Sequence, residues 1–282
     1  MKLYTIETGT FKIDGGAMFG VVPKSLWQKV YAADENNMCT CALRSLLVDT
    51  GDHKILFDAG MGNKQDAKFF GRYNAVPDNS LEDSLKSIGY SYNDITDVVL
   101  SHLHFDHCGG CVSFNKKHEL EITFKNAWYW CSKQQWECAT SPNSREKASF
   151  LDENILPIEQ SGRLKLVEKD SEIIPGIFVK LHFGHTEGMI VSFIQSKNNT
   201  LIYLGDLMPS VAHIPLPYIS AYDTKPLDAL DEKENLLKEA VSKKHILFFE
   251  HDYYNECASV IETEKGIRAD KTFKLSEIER EF

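Results

Sequence analysis

The chain has 282 residues, 43% of them apolar, which is enough to bury a sizeable core in one large domain. Its formal net charge of −10 argues against a nucleic-acid backbone or an anionic membrane surface as the main partner. No apolar stretch approaches the roughly 20 residues that span a bilayer, and residues 1–8 lack the apolar centre of a secretory signal, so a cytoplasmic protein is expected. Pro, Gly and Ser are scattered, with no linker, repeat or low-complexity run, which predicts a single domain over residues 1–282. Seven cysteines without a signal point to reduced thiols.

In chain order, Cys39 and Cys41 sit two apart in an expected strand, where they would face the same way as small buried residues. Residues 43–48 and 54–57 are β-rich runs around the turn Thr50-Gly51-Asp52 and read as a hairpin. Asn79-Ser80 offers a helix N-cap, Leu81, Leu85 and Ile88 recur at helical spacing, and Gly89 supplies the stop. The apolar run 95–100 reads as the next strand, and His102 follows its end. The same arrangement returns three times: run 177–181 leads to His185, run 201–204 leads through Gly205 to Asp206, and run 246–249 leads to His251. Between the last two, residues 227–241 predict an amphipathic helix with Leu230, Leu237 and Val241 on one face. Rigid strands that present polar residues just past their ends are how layered α/β proteins build sites.

The chemistry concentrates in Ser101-His102-Leu103-His104-Phe105-Asp106-His107-Cys108-Gly109-Gly110. Three imidazoles and a carboxylate this close together are costly to bury unless each finds a polar partner, and a divalent metal is such a partner. His102 and His104, two apart in an extended segment, can chelate one ion together. Asp106 and His107 then begin a second ligand set, with Gly109-Gly110 allowing a tight turn. Any one of these histidines alone could equally be a solvated or satisfied side chain; it is the cluster that argues for metal. His53, His118, His182 and His245 lack such company and read as ordinary surface or core residues, whereas His213 lies near enough to Asp206 in sequence to share the rim. Cys108 and Cys111 have CxxC spacing, but with no second CxxC to complete four thiolates, packing is the better reading.

These residues resemble the metallo-β-lactamase superfamily, whose HxHxDH signature is matched by His102, His104, Asp106 and His107. Its later single histidine is matched by His185, its bridging aspartate by Asp206, its last histidine by His251, and its early structural aspartate by Asp58 in Phe57-Asp58-Ala59-Gly60. The resemblance implies an α/β (α+β) fold, a four-layer αβ/βα sandwich with the site at one edge. It also implies two zinc ions per chain, or other divalent metals, one held by His102, His104 and His185, the second by Asp106, His107 and His251, with Asp206 bridging. Two ions roughly 3.5–4 Å apart can share a hydroxide and aim it at an ester carbonyl or a phosphorus centre, and Asp106 is the expected catalytic carboxylate, orienting that hydroxide or passing its proton to the leaving group.

The segments 14–23 and 205–215 look similar to a narrower branch of N-acyl homoserine lactonases and methyl parathion hydrolase. They favour a small lactone, carboxylic ester or phosphotriester over a β-lactam. The best-known lactonases carry a tyrosine three residues after the bridging aspartate, where this chain has Pro209. Phe19, His213 and Tyr222 are the substrate-contacting candidates, with Tyr218 a further substitute for that tyrosine. Met18, Phe69, Phe70, Trp128, Tyr129, Trp130 and Trp136 are candidates for an apolar wall, each weighed against simple core packing. A thioesterase or a mononuclear-iron persulfide dioxygenase of the same fold keeps the same signature, and a metal-binding sensing module is the non-enzyme alternative. A homodimer is left open.

Overall fold

The computed structural model describes residues 1–75, 80–196, 199–278 and 282. They form two compact units, Met1–Gly9 with Leu43–Asp170 and Thr10–Ala42 with Ser171–Phe282. Each unit is assembled from separated stretches of chain.

The first unit carries β1 (Lys2–Asp14), β2 (Met38–Asp49), β3 (Lys54–Phe57), β4 (Asp97–Val99), β5 (Val112–Phe114), β6 (Leu120–Ile122), β7 (Trp128–Ser132) and β8 (Leu164–Val167), the first parts of β1 and the last parts of β2 belonging to it. Among the described residues the strand order is β1-β2-β3-β4-β7-β8, with β5 and β6 as a separate ribbon. The expected hairpin is present: β2 and β3 pair antiparallel, Leu46 opposite Phe57 and Asp49 opposite Lys54. Asp49 accepts the Gly51 N–H at 2.7 Å, and Gly51 takes φ +96°, which a side chain would oppose. From β3 onward β4, β7 and β8 add in parallel. Parallel strands need crossovers, and that from β3 to β4 includes the helix Ser80–Ser87, which buries Leu81 and Leu85 and stops at Gly89, φ +84°. The expected capping residue Asn79 lies outside the described residues. Buried on both faces, β3 and β4 read as the continuous apolar runs seen in the sequence.

Cys108, Cys111 and Cys131 belong to the core of this unit, beside Leu56, Val98 and Tyr129. All seven cysteines are free, and burial pushes the Cys108 thiol up to about 12, so the CxxC pair packs as neutral thiols.

In the second unit β9 (Ser171–Ile174), β10 (Ile177–His182), β11 (Met189–Gln195), β12 (Thr200–Tyr203), β13 (Ile246–Phe248), β14 (Cys257–Thr263) and β15 (Gly266–Phe273) form a sheet ordered β15-β14-β13-β12-β11-β10-β9. Its parallel pair, β12 and β13, sets Leu201 opposite Ile246 and is connected through a long helix, Pro226–Lys243. The buried face of that helix differs from the expected one. Leu237 is buried, but Leu230 and Val241 are only half-buried, and the face runs through Ala229, Lys233, Leu236, Leu237 and Ala240. A lysine at its centre hides the face from a search for apolar periodicity. Its ammonium can sit there because it donates to three carbonyls, of His213 at 2.9 Å, Pro215 at 3.1 Å and Tyr218 at 2.8 Å. Among the described residues no helix is long and apolar enough to cross a membrane.

Candidate active site

In the first unit the site starts at two adjacent strand ends. Asp58, one residue past β3, is fully buried and held at φ +54°, a conformation that a short polar side chain tolerates. Its Oδ1 accepts the Ser101 N–H at 2.7 Å, and its Oδ2 accepts the Ser101 hydroxyl at 2.5 Å and faces His107 Nδ1 at 3.2 Å. One carboxylate thus fixes both the segment after β4 and the ring orientation of His107. The Ser101 hydroxyl also lies 3.0 Å from His102 Nδ1. The His102 and His107 ring centroids are 3.9 Å apart, and His102 Nε2 faces His104 Nδ1 at 3.0 Å.

A one-turn helix, Phe105–Cys108, delivers Asp106 and His107. Its exit is close-packed: a Cβ on Gly109 would lie 2.0 Å from the Met61 carbonyl oxygen, so glycine is required there. Asp106 remains partly exposed, its Oδ2 3.8 Å from His107 Nε2. Beside His104 lie Phe150, at 5.0 Å between ring centroids, and Glu146, whose Oε1 is 3.9 Å from His104 Nε2. Phe105 meets Phe69 at 5.1 Å and Tyr73 at 4.9 Å. Burial, reinforced by the Asp106 carboxylate, raises the Tyr73 phenol above its ordinary value.

The second unit brings His185, Asp206 and His251 together. Asp206 stands in the short 3₁₀ turn Gly205–Leu207, entered through Gly205 at φ +50°. Its Oδ2 is 3.3 Å from His185 Nε2 and its Oδ1 is 3.1 Å from His251 Nε2. The other nitrogen of each ring is tied: His251 Nδ1 donates to the Ala42 carbonyl at 2.8 Å, and His185 Nδ1 lies 2.8 Å from Asp223 Oδ1. A ring nitrogen on a carbonyl or carboxylate must carry the proton, leaving a lone pair on Nε2. In both cases that lone pair is aimed at a carboxylate oxygen. Acceptor against acceptor is repulsive unless a second proton or a cation lies between, and with His102 and His104 also nitrogen to nitrogen, this donor set suits a divalent metal. His102, His104, Asp106 and His107 in the first unit and His185, Asp206 and His251 in the second are all residue types that ligate such an ion.

The three substrate candidates separate. Phe19 is fully buried, stacked 5.0 Å from Trp27 and 4.8 Å from His213. His213 uses both nitrogens, Nδ1 with the Ser210 hydroxyl at 2.8 Å and Nε2 with the Met18 carbonyl at 2.9 Å. Burial lowers its pKa to about 4, so it is a neutral brace for its loop. Phe19 and His213 are both buried and stack on each other. Tyr222 is 47% exposed. Of the expected wall, Met18, Phe70, Tyr129 and Trp136 are buried, while Trp128 and Trp130 hold Lys165 over their rings at 4.6 and 4.2 Å. Phe69 is half-buried and packs on Phe70, Tyr73 and Phe105.

Sequence reasoning missed Asp223 and Glu250, the latter fully buried and accepting the Tyr203 hydroxyl at 2.6 Å. Asp223 lies in irregular chain 38 positions from the histidine it holds, where no spacing signals it.

The sequence pattern of the metallo-beta-lactamase superfamily matches residues 44–251. An N-acyl homoserine lactonase from Bacillus cereus is 28% identical over 285 residues, covering 95% of this chain and 96% of the lactonase. Among solved structures, a probable metal-dependent hydrolase from Staphylococcus aureus shares 29% identity, with a TM-score of 0.88 over 96% of this chain and 95% of that one. AidC, a dizinc quorum-quenching lactonase in complex with the product N-hexanoyl-L-homoserine, shares 25% identity, with a TM-score of 0.76 over 96% of this chain and 95% of that one.

Proposed function

We propose that this chain, which belongs to the metallo-beta-lactamase superfamily, is a metal-dependent hydrolase of lactones and carboxylic esters, with phosphotriesters as a secondary substrate class. The observation that carries the reading is the pair of histidines on Asp206: His185 and His251 each have Nδ1 tied and Nε2 turned to the carboxylate. That a lactonase matches the chain over nearly its full length supports the substrate class.

The residues assigned to hold metal are His102, His104 and His185 for one ion and Asp106, His107 and His251 for the other, with Asp206 shared, and zinc is the metal that the dizinc relative favours. When bound, the ions lower the pKa of water and polarise the scissile carbonyl or phosphoryl group. Asp58 and Asp223 orient His107 and His185, sparing the reaction their reorganisation. Asp106, a carboxylate kept partly exposed, would take a proton from the attacking water and give it to the leaving alkoxide. Phe69 and Tyr73, half-buried and packed on Phe105 beside Asp106, form an aromatic surface that suits an acyl chain or aryl group. Residues 1–282 act as one functional domain.

The test is kcat/KM on a panel of acyl homoserine lactones, aryl esters, a phosphotriester and a thioester. Lactones or esters should rank first, with rates rising as the acyl chain lengthens. A thioester preference, or oxygen uptake without hydrolysis, would overturn the assignment.

A further inference from the structure

The long helix meets the His185 segment through two adjacent charged side chains with opposite tasks. Glu232 turns its carboxylate to the backbone just before His185: Oε1 accepts the Phe183 N–H at 2.6 Å and Oε2 accepts the Gly184 N–H at 3.1 Å. The lead-in to the same helix takes the carbonyls that follow, Lys225 N–H donating to Gly184 at 2.9 Å and Thr224 N–H to His185 at 3.1 Å. Helix and turn are so close that a Cβ on Gly184 would lie 2.2 Å from the Ala229 nitrogen. Lys233, fully buried, gathers the carbonyls of His213, Pro215 and Tyr218. The chain runs on from that loop to Asp223, the partner of His185 Nδ1.

We infer that Glu232 and Lys233 are positioning residues for His185: the carboxylate sets where its backbone sits, and the ammonium sets the loop that brings Asp223 to its ring. Bidentate and tridentate charge-assisted hydrogen bonds fix direction as well as distance, which simple packing of Leu236 and Leu237 on the same helix does not. Replacing Glu232 leaves two backbone donors to find other partners, and replacing Lys233 does the same to the His213 and Tyr218 carbonyls, while that of Pro215 keeps the Tyr218 N–H, so in each variant the histidine loses its preset orientation before it loses its fold.

The inference rests on His185 being a metal ligand, and the experiment includes that point. Affinity for Zn²⁺ by chelator competition, the Co²⁺ absorption band, and thermal unfolding of the metal-free chain are measured for Glu232→Ala, Glu232→Gln, Lys233→Met and His185→Ala. Glu232→Ala and Lys233→Met should each weaken metal binding by about tenfold or more and shift the Co²⁺ band in the direction of His185→Ala. Glu232→Gln, whose amide oxygen still accepts one of the two N–H groups, should recover part of the loss. Wild-type affinity and band in both variants, with only lower thermal stability, would make Glu232 and Lys233 structural and overturn the inference while leaving the ligand reading intact. An unchanged affinity in His185→Ala would instead overturn the ligand reading, and the inference with it.

Discussion

At the residue scale, the site depends on carboxylates that choose which nitrogen of a histidine carries the proton. Asp58 does this for His107 and Asp223 for His185, and a carbonyl does it for His251. His213 shows the same rule applied to packing: a neutral ring, held below its ordinary value of 6.5 by burial, with both nitrogens used. Its depressed pKa has a sign that can be checked. Between pH 6.5 and about 4 the unfolded chain takes up a proton at this position that the folded chain refuses, so folding stability falls as pH drops through that window. Metal-free protein unfolded by urea at pH 7 and pH 5 should therefore lose less stability on acidification as His213→Asn than as wild type. Equal losses would remove His213 from the acid limb. The proposed metal ligands stand out in the sequence because four of them are crowded into six positions. Asp223 could not, since a carboxylate in irregular chain carries no local pattern.

At the element scale, strands were the most readable feature. Runs 43–48 and 54–57 form a hairpin, and the runs preceding His102, His185, Asp206 and His251 are all strands in the structure. Strands buried on both faces, such as β3, β12 and β13, leave continuous apolar runs, a signal that survives without any knowledge of the fold. The long helix was legible in extent but not in rotation, because Lys233 occupies the middle of its buried face and is satisfied only by a loop 15 to 20 positions away. Close approach of that helix to Gly184 gives a prediction of its own. Gly184→Ala places a methyl 2.2 Å from the Ala229 nitrogen, an overlap that forces helix and turn apart. It should cost about 1–3 kcal/mol in urea unfolding. A neutral result would show that the turn yields freely.

At the scale of the whole molecule, each of the two compact units is woven from separated stretches, with β1 and β2 contributing residues to both. Composition and linker searches read along the chain and have no access to such an arrangement. What the sequence did convey at this scale was the family, whose pattern matches residues 44–251. A folded chain that binds metal through several buried histidines is stabilised by that metal, by about 4 kcal/mol when the free ion stands at 1,000 times its dissociation constant. The measurement that tests the account most directly is metal analysis of the purified protein, followed by chelation and reconstitution with zinc while hydrolysis and thermal unfolding are recorded. The purified protein should carry close to two metal ions per chain, with activity and stability lost together on chelation and restored together by zinc. One iron per chain, or hydrolysis that persists after the metal is removed, would contradict it.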